Sequence, residues 1–303
     1  MIQAPILLFV YNRPIHTQQA VISLLKNELA AESPLYIYSD AAKTDADQNA
    51  VEETRNFIRQ ITGFASVTVI ERSENWGLAH NIIDGVTTQV SRFGRVIVLE
   101  DDLIVAPYFL QFMNDALETY KDEPRVGHIQ ACDFTNDSSL PDTFLIKFTG
   151  SWGWATWDRA WKYFNPDGEV LLKEMKERKL THKFDFNGNY PFTRMLCRQI
   201  EGKNNSWAIR WNASLFLNDI LSVNVGRSLV QNNGFDGSGT NCGGGNLYQS
   251  SLWLQPLPVE HLHPIEENQQ ARDVFARYYH RTNCFMAKAI RRLKRTLKGD
   301  FSA

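Results

Sequence analysis

Short apolar runs alternate with stretches of helical spacing over the first third of the chain. The runs at 5–11, 34–39, 66–71 and 95–99 are rich in Ile, Leu, Val and Tyr, which predicts strands. Between them, 45–61 places Val51, Phe57, Ile58 and Ile61 near one face, and 76–90 does likewise with Leu78, Ile82, Ile83 and Val86, which predicts helices. Such alternation implies right-handed crossovers, a mostly parallel sheet and ligands at its carboxyl edge. The expected fold class is α/β, a Rossmann-like sheet with helices on both faces.

Beyond residue 126 the pattern changes. Predicted strands at 126–131 and 143–148 lead into the run Gly150-Ser151-Trp152-Gly153-Trp154-Ala155-Thr156-Trp157, and helical spacing returns at 169–179, 190–201 and 207–217. Four of the eight tryptophans fall between 152 and 161, so this half is expected to be helical and Trp-rich. Residues 234–245 hold six of the eighteen glycines, which predicts a mobile loop able to close over a bound ligand. From 285 to 299 there are six basic residues and no acid, with an apolar stripe at helical spacing. That tail reads as a helix docked on the core or as a contact with an anionic membrane surface. The expected organisation is one half over 1–125, a second over 126–284, and the basic tail over 285–303.

The 43% hydrophobic and 22% charged content is ordinary for a globular chain, and the net charge of −2 exerts no global pull on nucleic acid, so no nucleic-acid partner is expected. Cys132, Cys197, Cys242 and Cys284 form no CxxC pair. This excludes a zinc ribbon and favours a reducing compartment over a disulfide scaffold. The apolar stretch at 4–11 lacks a basic start and is too short for a signal or a span. A cytoplasmic protein is expected, peripheral to the inner face of the membrane if the tail engages lipid. Neither GxGxxG nor a Walker A sequence follows the first strand.

Glu100-Asp101-Asp102 stands at the end of the run Arg95-Val96-Ile97-Val98-Leu99. Bare carboxylates are costly inside a strand, so they should emerge at its carboxyl end. Crowded there, they repel one another unless a cation sits among them, and hard oxygens suit Mn2+ or Mg2+ carrying phosphates. The alternative is a solvated acidic turn ahead of the helix that Ala106-Pro107 opens. The first and second strands end in Tyr11-Asn12-Arg13-Pro14 and Ser39-Asp40, so three carboxyl ends should share one cleft. Arg13 could contact a phosphate or base, Asp40 an N–H of a uracil-like ring, Asp101 a ribose, and Asp102 a metal between two phosphates. Against this, Arg13 could be a surface charge at a helix start and Asp40 a cap of the following turn.

The ordered blocks YNRP, YSD, ENWGLAHN and VIVLEDDLIVAPYFLQFM resemble the GT-A glycosyltransferases, namely bacterial family-2-like sugar transferases and the N-acetylglucosaminyltransferase I type. GSWGWATWDRAW, SWAIRW and NNGFDGSGTNC extend the resemblance over most of the chain. It implies Asp102 as the metal ligand, Asp101 beside the ribose, Glu100 near the donor sugar, and Arg13 and Asp40 in the nucleotide pocket. It also implies donor-site support from Asn75 and Asn81, an acceptor-side wall of Trp152 and Trp154, and acceptor-side places for Trp207 and Arg210. The chain departs from the bacterial group in two places. Asn205 stands where an acid would serve as general base, and an amide cannot take that proton. Gly-Thr-Asn241-Cys stands where that group tends to carry histidine. Asp133, Asp185 and Asp219 are the substitute candidates for the base.

The implied function is metal-dependent, inverting transfer from a nucleotide-sugar donor to a glycan or lipid-linked glycan in cell-surface polysaccharide assembly. Two alternatives stand beside it. A sugar-phosphate nucleotidyltransferase usually needs a glycine-rich loop after the first strand, and 11–17 has no glycine. A non-catalytic nucleotide- or sugar-binding domain would account for Asn205. His261 and His263 read as an ordinary loop between Pro258 and Pro264.

Overall fold

The computed structural model describes residues 3–236 and 250–283. The expected lid segment beyond Asp236, Asn241 within it, and the basic tail lie outside the described residues. The first strand, β1 (Ile6–Val10), is buried along its whole length, as expected of a central strand covered on both faces. Pro14 at the first turn starts α1 (Pro14–Leu25). There follow β2 (Pro34–Ser39), α2 (Gln48–Ile58), β3 (Ser66–Glu71), α3 (Gly77–Phe93) and β4 (Arg95–Glu100). Gly94 ends α3 in the left-handed region, φ 74°, where a side chain would be strained. These four strands pair in parallel in the order β3-β2-β1-β4.

The chain continues with β5 (Leu103–Val105), α4 (Phe109–Thr119), β6 (Val126–Gln130), β7 (Thr143–Ile146), β8 (Trp154–Trp157) and α5 (Asp158–Trp161). After these come α6 (Gly168–Glu177), α7 (Thr181–Phe184), α8 (Phe192–Ile200), α9 (Trp207–Leu217), β9 (Leu221–Val225), β10 (Val230–Asn232) and α10 (Gln269–Asn283). The sheet continues across the chain midpoint as β3-β2-β1-β4-β8-β6-β9-β7, eight strands of which β8 and β7 run against the rest. A two-stranded antiparallel ribbon, β5 with β10, stands apart from it. The fold is the mostly parallel, Rossmann-like α/β arrangement that the sequence predicts. Among the described residues, no helix is long and apolar enough to cross a membrane.

Side-chain alternation along β4 shows how both faces are covered. Ile97 and Leu99 join one core with α1 and α4, and Val96 and Val98 join the other with α3 and α9. A third, largely aromatic core of Phe134, Phe148, Phe186, Phe275 and Tyr279 gathers α6–α8 and α10 against the far end of the sheet. The Trp-rich run is read differently by the structure than by the sequence. It forms β8 between β4 and β6, where Trp154 and Trp157, three positions apart, enter the cores on opposite faces.

His128 of β6 is fully buried behind this strand. Its ring stacks on Trp154 at 5.4 Å, and its Nδ1 accepts a hydrogen bond from Trp211 Nε1 at 3.1 Å. Burial pulls the imidazole pKa down to about 3, so the folded chain holds it neutral while the unfolded chain protonates it near the usual ~6.5. The unfolded state therefore binds the extra proton below that value, and stability should fall as pH drops from 6.5 toward 3. The loss is about 1.4 kcal/mol per pH unit. Urea unfolding at pH 6.5 and 4.5 should show this slope in the parent chain and a flatter one in His128→Gln.

Candidate active site

The carboxyl ends of β1 and β4 are neighbours, with Phe9 opposite Glu100. This register lets Arg13, just past β1, reach the turn just past β4. Arg13 Nη2 pairs with Asp101 Oδ1, and Nη1 donates to Asp102 Oδ2 at 3.2 Å. The cation that three crowded acids require is thus supplied by the chain itself. Arg13, expected to face a phosphate or base, has its guanidinium committed to these two carboxylates. Burial pushes the Asp101 carboxyl up to about 6 against the pull of Arg13. Burial, reinforced by Asp102 and Asp101, pushes Glu100 up to about 8.

The ribbon brings a second segment onto the same turn. Asn232 pairs with Leu103, Asn233 N donates to Asp102 O at 2.8 Å, and Gly234 N donates to Asn232 Oδ1 at 2.7 Å. A Cβ on Gly234 would lie 2.3 Å from Asp102 Oδ2. That oxygen is held by Arg13 and cannot swing freely aside, so the position demands glycine. Gly234→Ala should therefore displace the Asp102 carboxylate and cost about 1–3 kcal/mol of stability, measured by denaturant unfolding. A neutral result would mean the turn yields more easily than its bonding suggests.

Asp40, expected to read a nucleobase, is already saturated. Its Oδ1 accepts from Ala41 N and Trp76 N, and its Oδ2 from Gly77 N and Asn75 Nδ2, at 2.8–3.2 Å. Four donors occupy the four lone-pair positions of a carboxylate. Asp40 fixes the start of α3 onto the end of β2. Asn75 completes the brace through Ala41 O at 2.7 Å. Asn81 is buried within α3, donates to Gly77 O at 3.1 Å and accepts from Arg72 Nε at 2.9 Å. Arg72 in turn lies 3.7 Å over the Trp76 ring. Asn75 and Asn81 hold the edge of the cleft in shape.

On the acceptor side, the expected aromatic wall divides. Trp154 has no exposed surface and stacks on Trp207 at 5.0 Å, and Trp207 is itself 4% exposed. Both are core: β8 lies inside the sheet, and α9 packs Trp207 onto the same face as Trp154. Trp152 is half-buried and meets Phe235 edge-on at 5.7 Å. Since Phe235 follows Gly234, Trp152 is the tryptophan of this group that neighbours the Asp102 turn. Arg210 is buried and donates to Ser206 O, Pro166 O and Asn205 Oδ1 at 3.1–3.2 Å. Asn205 and Arg210 thus pin the amino end of α9, which Ser206 caps through Ile209 N.

The three substitute acids are scattered. Asp219 precedes β9, which runs in the direction of β4, so it lies at the amino edge, opposite the acid turn, and pairs there with Lys147 and Arg125. Asp185 accepts from Thr193 N, in the first turn of α8, at 2.6 Å. Asp133 follows β6 at the carboxyl edge, but it is 2% exposed. Its Oδ1 accepts from Thr135 N and Oγ1 and its Oδ2 from Asn136 N, so it shapes its own loop while burial raises its pKa. His261 stacks on Tyr120 at 5.0 Å, and the His263 ring lies tilted against His261 at 4.5 Å.

Among the described residues, no group of three His, Cys, Asp or Glu side chains encloses a cation position. Asp101 Oδ1 and Asp102 Oδ2 already face Arg13, while Asp102 Oδ1 has no partner among the described residues. One hard oxygen of this kind fits Mn2+ or Mg2+ brought in mainly by phosphates and water, and does not fit a resident cage. The sequence reading missed the contact of Gly234 and Asn233 with Asp102. Its signal in the sequence is the block NNGFD.

No protein-family profile and no curated protein matches the chain. Solved structures similar to it include a mannosyltransferase from Pyrobaculum calidifontis in complex with GDP-Man and Mn2+, at 11% identity over 72% of this chain and 69% of that one, TM-score 0.39. TarS of S. aureus is similar at 15% identity over 54% of this chain, TM-score 0.36, and the match spans 30% of TarS. A UDP-glucose pyrophosphorylase complexed with UDP-glucose is similar at 12% identity over 74% of this chain and 90% of that one, TM-score 0.33. Likeness at this level speaks to neither substrate nor mechanism.

Proposed function

We propose that this chain transfers a sugar from a nucleotide-sugar donor to a glycan or lipid-linked glycan acceptor, with inversion at the anomeric carbon, in cell-surface polysaccharide assembly. The observation that carries the reading is the cluster of Arg13, Asp101 and Asp102 at the carboxyl edge, in a chain whose blocks run in glycosyltransferase order. Asp101 is suited to ribose hydroxyls and Asp102 to Mn2+ or Mg2+. Arg13, turned outward, is suited to the diphosphate, and Trp152 to the apolar face of an acceptor sugar. A bound cation would supply the charge that neutralises the leaving diphosphate. In the transfer step the acceptor oxygen bonds to the anomeric carbon from the face opposite the departing C–O bond, whose electron pair leaves with the diphosphate. The acceptor proton passes to a base.

Asn205 is no such base, and its tie to Arg210 favours a second reading, a domain that binds nucleotide sugar without turnover. A thermal-shift screen of UDP, GDP and dTDP with and without Mn2+, followed by donor hydrolysis and transfer assays, separates the two. At least one diphosphate should stabilise the chain only with Mn2+. Binding without hydrolysis or transfer selects the second reading, and no binding at all removes both.

A further inference from the structure

The contact between Arg13 and the acid turn has two features that together bear on how the site loads, taking the proposed nucleotide-sugar site as its basis. The pair is largely dehydrated, with side-chain exposures of 17% for Arg13, 5% for Asp101 and 8% for Asp102. The Arg13 backbone is fixed, because its carbonyl accepts from Thr17 N at 3.0 Å and Thr17 Oγ1 at 2.9 Å in the first turn of α1. Only the Arg13 side chain can rearrange.

A divalent cation approaching Asp102 therefore meets a guanidinium on one carboxylate oxygen and Gly234 packed against that same oxygen. Like charges a few ångströms apart in a poorly hydrated site repel strongly. A nucleoside diphosphate removes the conflict, since its phosphates present the paired oxygens that a planar guanidinium grips from two donors. We propose that Arg13 and the divalent cation compete for Asp102, so that the cation alone binds weakly and a nucleoside diphosphate couples its entry to the release of Arg13 from the carboxylates.

By linkage, the coupling must act in both directions. Calorimetric titration of the full chain with Mn2+ alone should give weak binding, tightened by about tenfold or more when UDP or GDP is present. Arg13→Gln should bind Mn2+ alone about tenfold more tightly than the parent and lose most of the nucleotide enhancement. Circular dichroism melting checks that the variant folds. The parent chain labelled at arginine Nε offers a test without substitution. Its Arg13 resonance should stay in place on titration with Mg2+ alone and move when UDP or GDP is added with it. Mn2+ binding to Arg13→Gln that is no tighter than to the parent, or an Arg13 resonance that stays in place when UDP or GDP binds together with Mg2+, overturns the competition while leaving the nucleotide site standing. If neither chain binds Mn2+ with or without nucleotide, the proposed function fails and this inference falls with it.

Discussion

Asp102→Asn is expected to abolish the Mn2+-dependent part of nucleoside diphosphate binding and to lower sugar transfer by about 10²–10³-fold. A carboxylate that holds a cation against a leaving diphosphate is worth several kcal/mol in the transition state, and each 1.36 kcal/mol is about a factor of ten. The amide keeps the shape of the turn, and the Asn233 N–H still finds the main-chain oxygen of residue 102. Arg13 keeps Asp101 as its partner, so no buried charge is left alone and the fold should survive. Calorimetry with UDP or GDP, with and without Mn2+, together with a melting curve reads all three expectations. Full Mn2+-dependent binding in a folded Asp102→Asn chain would move the metal elsewhere.

Trp154→Ala should cost about 3–5 kcal/mol, enough to leave much of the chain unfolded at physiological temperature. The indole is fully buried, stacks on Trp207 at 5.0 Å and on His128 at 5.4 Å, and lies 6.1 Å from Trp161. Removing it opens a cavity where β4, β8 and α9 meet. Trp154→Phe should recover most of the stability. An acceptor-wall role predicts another outcome, a stable protein with weakened acceptor binding. Equilibrium unfolding of the two variants distinguishes them.

The sheet was readable because its strands are short apolar runs separated by helical spacing, and Glu100-Asp101-Asp102 was readable because bare acids after such a run have one place to go. What the sequence concealed was pairing between distant residues. Nothing local says that Arg13 meets Asp101 and Asp102, or that Asp40 is taken up by the amides of Trp76 and Gly77. Both follow from which strand ends the parallel register sets side by side. Trp154 and Trp207 misled for a related reason. An aromatic residue suits a sugar face and a core equally well, and only the insertion of β8 between β4 and β6 decides. The short ribbon was hidden because β5 and β10 are too brief for any periodicity. The stripe of Ala271, Val274, Phe275 and Tyr278 in α10 is legible at helical spacing.

The aromatic column behind β8 also determines what light emitted by this protein can report. Trp207, Trp154, Trp161 and Trp211 follow one another at centroid distances of 5.0–6.1 Å, close enough for excitation to migrate among them. Bulk indole emission is therefore mostly a signal of the interior and will register unfolding well before it registers a ligand. Trp152, set against Phe235 beside the Asp102 turn, and the exposed Trp76 beside Asp40 are the indoles whose colour and quenching belong to the cleft.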